Sequence, residues 1–471
     1  MLPVRKPFRS LPKLVTHLST KPLSWPTPAS TYLSDSISFV QKDIFELVDD
    51  LWSGKASVNE HHPVTQSSTL VTLSASSAFV PSFANVSVFD SGDGLVMVDT
   101  GSQFLAKNVF DQVRAWRSDR LDTAIYSHGH VDHVFGVPLY EQEASDKGWN
   151  GPRVISHEAL PLRFERYILT AGYNAIINRR QFGFANLEWP LEYRYPDKTY
   201  SHELEFQVGD LDVALYHAKG ETDDHTWTWI PSLKTICCGD LFIWASPNAG
   251  NPQKVQRYPK QWALALRKMI ALEPEVLLPG HGFPVVGAQR IRQALVDTAD
   301  LLDFIVDETI SMMNEGIALN DILHSVVPPQ ELMEKPYLQP VYDEPEFIIR
   351  NVWRQYGGWY DGDPANLKPA KRVELAQEIS RLTGGAGKLA DRALELCQIG
   401  NYRLACHLIE WAALSAPDDE AIHRARRTIF AERANLETST MSKGLFNWAA
   451  SESQRILESK TDLDNTKGAS Q

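Results

Sequence analysis

Short apolar runs recur between turn residues from Thr69 onward, and their spacing predicts strands alternating with helices. Asn85-Val86-Ser87-Val88-Phe89 reads as a strand, Gly92-Asp93-Gly94 as a turn, and Leu95-Val96-Met97-Val98 as the returning strand. Helical spacing follows over 107–116, then a short strand at Thr123-Ala124-Ile125-Tyr126. Further strands are predicted over 211–217, 226–230, 235–238 and 276–278, with a helix over 259–272. Such alternation predicts an α/β layered domain over residues 65–300. Upstream, Leu47, Val48 and Leu51 beside Phe39, Val40 and Ile44 predict a helix over 36–51, and the polar stretch 53–68 reads as a linker.

Beyond Ala288 the period becomes helical. One long amphipathic helix is predicted over 291–313, then a Pro- and aromatic-rich connection over 328–369. Leu389, Ala393 and Leu396 line one helix face; Leu404, Leu408 and Ala412 line the next. Gly400-Asn401 turns between them and Ala416-Pro417-Asp418-Asp419 ends the second. The pair is similar to a tetratricopeptide unit, which predicts an all-α packing or dimerisation domain over 301–440. Residues 451–471 read as a frayed polar tail.

Composition narrows the function classes. A chain of 471 residues predicts two or three domains. No apolar run reaches the roughly 18 residues of a spanning helix, so no membrane span is expected. The net charge of −13 argues against a nucleic-acid partner, whose phosphates need Lys and Arg. It leaves room for a small anionic or amphiphilic substrate, because a metal ion supplies local positive charge. Cys237, Cys238, Cys397 and Cys406 form no disulfide or zinc-ligand pattern and read as buried thiols in a reducing compartment. Residues 1–34 hold Arg5, Lys6, Arg9, Lys13 and Lys21 and no acid. A basic disordered leader and a mitochondrial transit peptide both fit, so the expected location is cytoplasmic with mitochondrial as the alternative.

The chemistry concentrates in Ser127-His128-Gly129-His130-Val131-Asp132-His133. Imidazole nitrogens and a carboxylate crowded after a predicted strand suit zinc and similar ions. Gly129 lets the backbone bend between ligands. Asp132 and His133 can aim at a different point from His128 and His130, so two neighbouring metals are accessible. The isolated His157, His202, His324, His407 and His423 read as structural.

This run resembles the His-X-His-X-Asp-His signature of the metallo-β-lactamase superfamily, which implies an αββα sandwich. Further landmarks match in order: Asp99 in Val98-Asp99-Thr100-Gly101, Gly220-Glu221-Thr222-Asp223-Asp224-His225, Gly239-Asp240, and Pro279-Gly280-His281-Gly282. The resemblance implies that Asp99 orients the metal loop without binding metal. It implies one metal on His128, His130 and Glu221 and another on Asp132, His133 and His281, with Asp240 between them. Two Zn²⁺ per chain are thus expected, activating a water near neutral pH, with Asp132 and Asp240 as the catalytic carboxylates. On the residues alone, His225, Asp223 or Asp224 could replace Glu221.

Glu221, where most relatives have His, resembles the alkyl sulfatases of this superfamily. Tyr356-Gly357-Gly358-Trp359-Tyr360-Asp361-Gly362-Asp363-Pro364 is similar to a segment of their dimerisation domain. The resemblance implies a homodimeric hydrolase that cleaves alkyl sulfate esters, with another ester, lactone or thioester as the alternative and a non-catalytic interaction scaffold as a third reading. Arg257 and Asn248, on the segment after Asp240, are the candidate substrate contacts, since an Arg fork grips an oxyanion. Trp227, Phe242, Trp244 and Tyr258 are candidates for an apolar wall.

Overall fold

The strand Leu95–Val98 shows why the domain is layered. All its residues are buried, so both of its faces are covered. Val96 and Val98 join one core, and Leu95 and Met97 join another on the opposite face. This is the period of two along a strand, with apolar residues on both sides. The computed structural model of the chain describes residues 38–39, 43–64, 66–67, 69–184 and 186–468. The basic leader lies outside them.

The first sheet has seven strands in chain order: Val71–Ser74, Ser77–Val80, Val86–Asp90, Leu95–Val98, Leu121–Ile125, Arg153–His157 and Lys198–Tyr200. Its early pairs are antiparallel, and those from Leu95–Val98 onward are parallel. The second sheet has six: Glu203–Val208, Leu211–His217, Thr226–Ile230, Thr235–Gly239, Val276–Pro279 and Val285–Val286. Only Thr235–Gly239 and Val276–Pro279 run parallel there. The sheets share a core that includes Phe89, Val96, Ile125, Leu215, Ile236 and Leu277. Helices Ala106–Trp116, Val137–Lys147 and Leu160–Leu169 contribute to the core on the far face of the first sheet. Pro259–Ile270 and Ala288–Asn314 pack into the core of the second. The expected αββα sandwich is present.

Several boundaries differ from those read off the sequence. The helix expected over 36–51 spans Ile44–Trp52, capped by Asp43 Oδ1 on Phe45 N–H at 2.8 Å. The linker expected over 53–68 contributes buried Val58 and Val64. The domain boundary at 300 falls inside the helix Ala288–Asn314. Ile322, Tyr337, Ile348 and Val352 belong to the same core as the second sheet, so the catalytic core reaches well past 300.

A separate helical core runs from Leu389 to Ala450, built by Arg372–Thr383, Ala386–Gln398, Tyr402–Ser415, Glu420–Leu436 and Thr440–Gly468. Leu389, Ala393 and Leu396 are buried as expected. On the next helix the buried face is Ala405, Ile409 and Ala412, while Leu404 is 45% exposed. Ala412 is buried as expected, but the other two buried positions lie one residue past Leu404 and Leu408, and at the first of them Leu404 outweighs the buried Ala405 in a hydropathy pattern. The frayed tail expected from 451 is a correction too, since Thr440–Gly468 is one helix. Arg426 Nη1 anchors it by donating to Ala449 O at 2.5 Å and Ser453 Oγ at 3.1 Å. Among the described residues no helix is long and apolar enough to cross a membrane.

Buried Asn85 ties the first sheet to the loop after Val276–Pro279. Its amide N–H groups donate to Pro279 O and Gly282 O, both at 3.0 Å, and its Oδ1 accepts from Ser82 N–H at 3.1 Å. Leaving these buried groups unpaired costs roughly 1–3 kcal/mol each before relaxation. Asn85→Ala is therefore expected to lower stability by about 2–4 kcal/mol in denaturant titration; a loss under about 0.5 kcal/mol would remove Asn85 as a tie.

Candidate metal centre

The histidine run follows the C-terminal end of Leu121–Ile125, where neighbouring parallel strands also end. Chemistry gathers at such ends because loops there diverge from a rigid sheet. Asp99, just after Leu95–Val98, organises the run. Its Oδ1 accepts from Ser127 N–H at 2.7 Å; its Oδ2 accepts from Ser127 Oγ and faces His133 Nδ1, both at 2.7 Å. Asp99 holds a left-handed backbone, φ 61°, uncommon for a residue with a Cβ and over-determined here by these bonds. Thr100 N–H and Oγ1 both donate to His133 O.

Two groups of donors converge beyond this scaffold. His128, His130, Glu221 and Asp240 form one; Asp132, His133 and His281 form the other; within each, the ligand atoms lie within 4.8 Å of one another. Asp240 joins them. Its Oδ2 is 3.7 Å from His128 Nε2 and 3.3 Å from His281 Nε2, and its Oδ1 is 3.5 Å from His133 Nε2. Asp132 Oδ2 is 3.4 Å from His281 Nε2 and 3.6 Å from His133 Nε2, while His130 Nδ1 is 3.8 Å from Glu221 Oε1. These spacings exceed good hydrogen bonds. They approach the edge of a tetrahedron with bonds of about 2.0–2.1 Å, which is about 3.3 Å. His133 Nε2, Glu221 Oε2 and Asp240 Oδ1 are buried without a hydrogen-bond partner. Orphaned donors at ligand spacing, of hard and borderline type, fit a pair of divalent ions.

The protonation of His128 and His130 agrees with that use, while His133 registers the surplus of carboxylates that an ion would neutralise. Burial pushes His128 and His130 well below their ordinary value, keeping both neutral as ligands must be. Burial also opposes charge on His133, but Asp99, Asp240 and Asp132 outweigh it and raise this imidazole. For Asp240, burial opposes ionisation, and His281, His133 and His128 outweigh it and hold the carboxyl well below the usual range.

The loop alternatives to Glu221 have other partners. Asp224 Oδ2 accepts from Gly129 N–H at 2.8 Å and its Oδ1 from Arg163 Nε at 2.7 Å. Asp223 pairs with Arg163. His225 Nε2 accepts from Asp240 N–H at 3.1 Å. Gly129 serves less for bending than for room, because a Cβ there would lie 2.8 Å from Arg163 Cδ.

The candidate substrate contacts Arg257 and Asn248 both lie against Glu221. Arg257 is buried beside the cluster, with Nη1 3.0 Å from Glu221 Oε1 and its Nε unpartnered. The Asn248 side-chain amide donates one N–H to Glu221 Oε1 and so orients that carboxylate. Trp227, Phe242 and Trp244 are at most 2% exposed inside the core, which corrects their reading as an apolar wall. Tyr258 stands apart beneath Lys219 Nζ at 5.3 Å. The aromatics that border the cluster were missed. Phe83 meets His281 edge-on at 5.8 Å and Phe182 at 6.2 Å; Tyr167 lies 6.5 Å from the His130 ring and 5.4 Å from Trp189. Two of the four, Tyr167 and Phe182, come from Leu160–Leu169 and Ala171–Phe182, helices not predicted. Gly183, a left-handed cap closing the second, was the available signal.

Substituting Asp99→Asn removes the charge that orients His133. Metal affinity is expected to fall about 10–100-fold in a chelator competition; unchanged affinity would strip Asp99 of that role.

The chain is similar to known proteins in both its sandwich and its helical segment. Residues 80–281 match the metallo-beta-lactamase superfamily, and residues 318–455 match the alkyl sulfatase dimerisation family. A linear primary-alkylsulfatase of Pseudomonas sp. is 24% identical over 406 residues, covering 81% of this chain and 76% of that protein. An alkyl/aryl-sulfatase of Saccharomyces cerevisiae is 24% identical over 374 residues, covering 73% and 56%. An (R)-specific secondary-alkylsulfatase of Pseudomonas sp. is 25% identical over 362 residues, covering 69% and 53%. The chain thus spans three quarters of the first and little more than half of the others. The solved structure of a stereoselective inverting sec-alkylsulfatase from Pseudomonas sp. superposes with a TM-score of 0.74 at 22% identity, over 82% of this chain and 65% of that one.

Proposed function

Because this chain joins a metallo-beta-lactamase-superfamily domain to an alkyl sulfatase dimerisation domain, we propose that it is a dinuclear zinc hydrolase cleaving alkyl sulfate esters to an alcohol and sulfate. The observation that carries the reading is the convergence of seven donor residues on two points joined by Asp240. His128, His130, Glu221 and Asp240 would hold one ion; Asp132, His133, His281 and Asp240 would hold the other. Bound zinc would supply an activated water near neutral pH and electrophilic stabilisation of the ester's developing charge.

The chain's own residues do the rest. Asp132, 18% exposed where most ligands are buried, borders the cleft and is the carboxylate nearest an arriving substrate. Asp99 and Asn248 hold His133 and Glu221 in orientation. Arg257 offers its unpartnered Nε–H to a sulfate oxygen. Phe83, Tyr167, Phe182 and Trp189 supply an apolar surface for an alkyl chain. The helical domain supports a homodimer, with Trp359 at 72% and Leu382 at 78% exposure among the apolar residues open to a second copy.

A screen of sulfate esters, lactones and thioesters, with Asp132→Ala as the blank, tests the reading. Sulfate release from a medium-chain alkyl sulfate, lowered at least about 100-fold in the variant, is expected for loss of a ligand that is also a catalytic group. Hydrolysis of a lactone or thioester without sulfate release would assign the same site to another ester.

Lys254 adds a pH signature. Its Nζ donates to Asn178 Oδ1 at 3.2 Å and lies 5.7 Å from the Trp189 ring. Burial and the nearby Arg257 charge lower it to about 7, against the opposing pull of Asp132 and Glu221. A lowered lysine is charged below that value and neutral above it. KM for an anionic ester is therefore expected to rise as pH climbs through about 7, and Lys254→Met to flatten that limb; an unchanged profile in the variant would free Lys254 of this role.

A further inference from the structure

The last helix reaches out of its own domain. At its start, Ser439 Oγ donates to Tyr342 O at 2.7 Å, Thr440 N–H to Val341 O at 2.9 Å, and Ser442 Oγ to Glu344 Oε1 at 2.5 Å. Thr440 Oγ1 also lies 3.0 Å from His62 Nε2. One turn on, Gly444 lies against the backbone of Gln181. A Cβ at Gly444 would overlap the Gln181 carbonyl oxygen and come within 2.7 Å of its carbonyl carbon and 2.9 Å of Arg180 O. Those are backbone atoms and cannot swing aside. Glycine inside a helix weakens it, so its presence here answers to the close approach.

The helix it touches, Ala171–Phe182, ends in the aromatic chain that leads to His281. Gln181 Nε2 donates to Tyr342 Oη at 3.0 Å, and Phe182 continues edge-on to Phe83 and so to His281. From the other side the segment after Asp240 holds the same helix, through Gln253 Nε2 on Ile177 O at 3.1 Å and Lys254 Nζ on Asn178 Oδ1 at 3.2 Å. The helix is thus held both by the segment after Asp240 and by the last helix.

We propose that the C-terminal domain is part of the substrate cleft. Gly444 is a positioning residue that seats Ala171–Phe182, and through Phe182 and Phe83 it sets the face that receives the apolar tail of an amphiphilic sulfate ester. The identity of the tail rests on the function proposed above; the seating does not.

The test compares full-length wild type with Gly444→Ala and with the paired change Ser439→Ala and Thr440→Val, which loosens the same docking without overlap. Hydrogen exchange over 171–182 and binding of unreactive decanesulfonate are measured beside binding of inorganic sulfate and metal content. In both variants exchange over 171–182 is expected to quicken and decanesulfonate to bind about tenfold more weakly, the scale of losing contact with a few methylenes. Inorganic sulfate affinity and metal content are expected to stay within about twofold, a change of under 1 kcal/mol-equivalent in binding constant. Unchanged exchange in both variants would overturn the seating. Faster exchange with undiminished decanesulfonate affinity would overturn the tail-binding role. A wild type that binds no decanesulfonate would overturn that role together with the alkyl sulfate reading, while the exchange result still judges the seating.

Discussion

Everything in the active region depends on burying the Asp240 carboxylate among imidazoles. Its two oxygens are the atoms that the two donor groups share. A buried anion is costly unless positive charge meets it, and here the imidazoles of His281, His133 and His128 face it. The surrounding sequence serves that approach. A Cβ at Gly280 would overlap Asp240 Oδ1, Gly239 takes a positive φ of 50° just before it, and His225 accepts its backbone N–H. Glycine on both loops lets two strand ends come close enough for one carboxylate to serve both groups.

The fold delivers the remaining donors by a related economy of placement. Parallel strands end side by side, so Asp99 after one strand can hold Ser127 and His133 after the next. The second sheet brings Asp240 and His281 from its own parallel pair, Thr235–Gly239 and Val276–Pro279. Glu221 arrives on the turn before Thr226–Ile230, held by Arg257 and Asn248 from the segment after Asp240. The donors therefore come from both halves of the sandwich, and the core between the sheets sets their separation. The helical domain extends this dependence, since its last helix is bonded to the 341–344 segment and pressed on the helix Ala171–Phe182.

Legibility in the sequence followed physical cause. The donor residues were readable because metal binding demands particular donors at close spacing, and Glu221, Asp240 and His281 each stand next to a glycine in a loop beyond a strand. The central strands were readable because burial on both faces makes them continuous apolar runs. The cleft was not. Phe83 and Phe182 are ordinary aromatics in a sequence, and the aromatics that stood out, Trp227, Phe242 and Trp244, fill the core. The role of Asn248 depended on an approach across 27 residues that no local pattern encodes. Helix faces in the C-terminal domain were misjudged where Ala, not Leu, is the buried residue, and the terminal helix escaped notice because its contacts are to distant backbone.

The central claim is that Asp240 and the six donor residues around it hold a pair of divalent ions. Elemental analysis of protein purified without added chelator measures this directly. The account predicts about two divalent ions per chain in the native protein, as two-metal hydrolytic sites hold, and loss of the pair in Asp240→Ala with the fold retained. Less than about one ion per chain at neutral pH, where neutral imidazoles and ionised carboxylates are competent ligands, would contradict it.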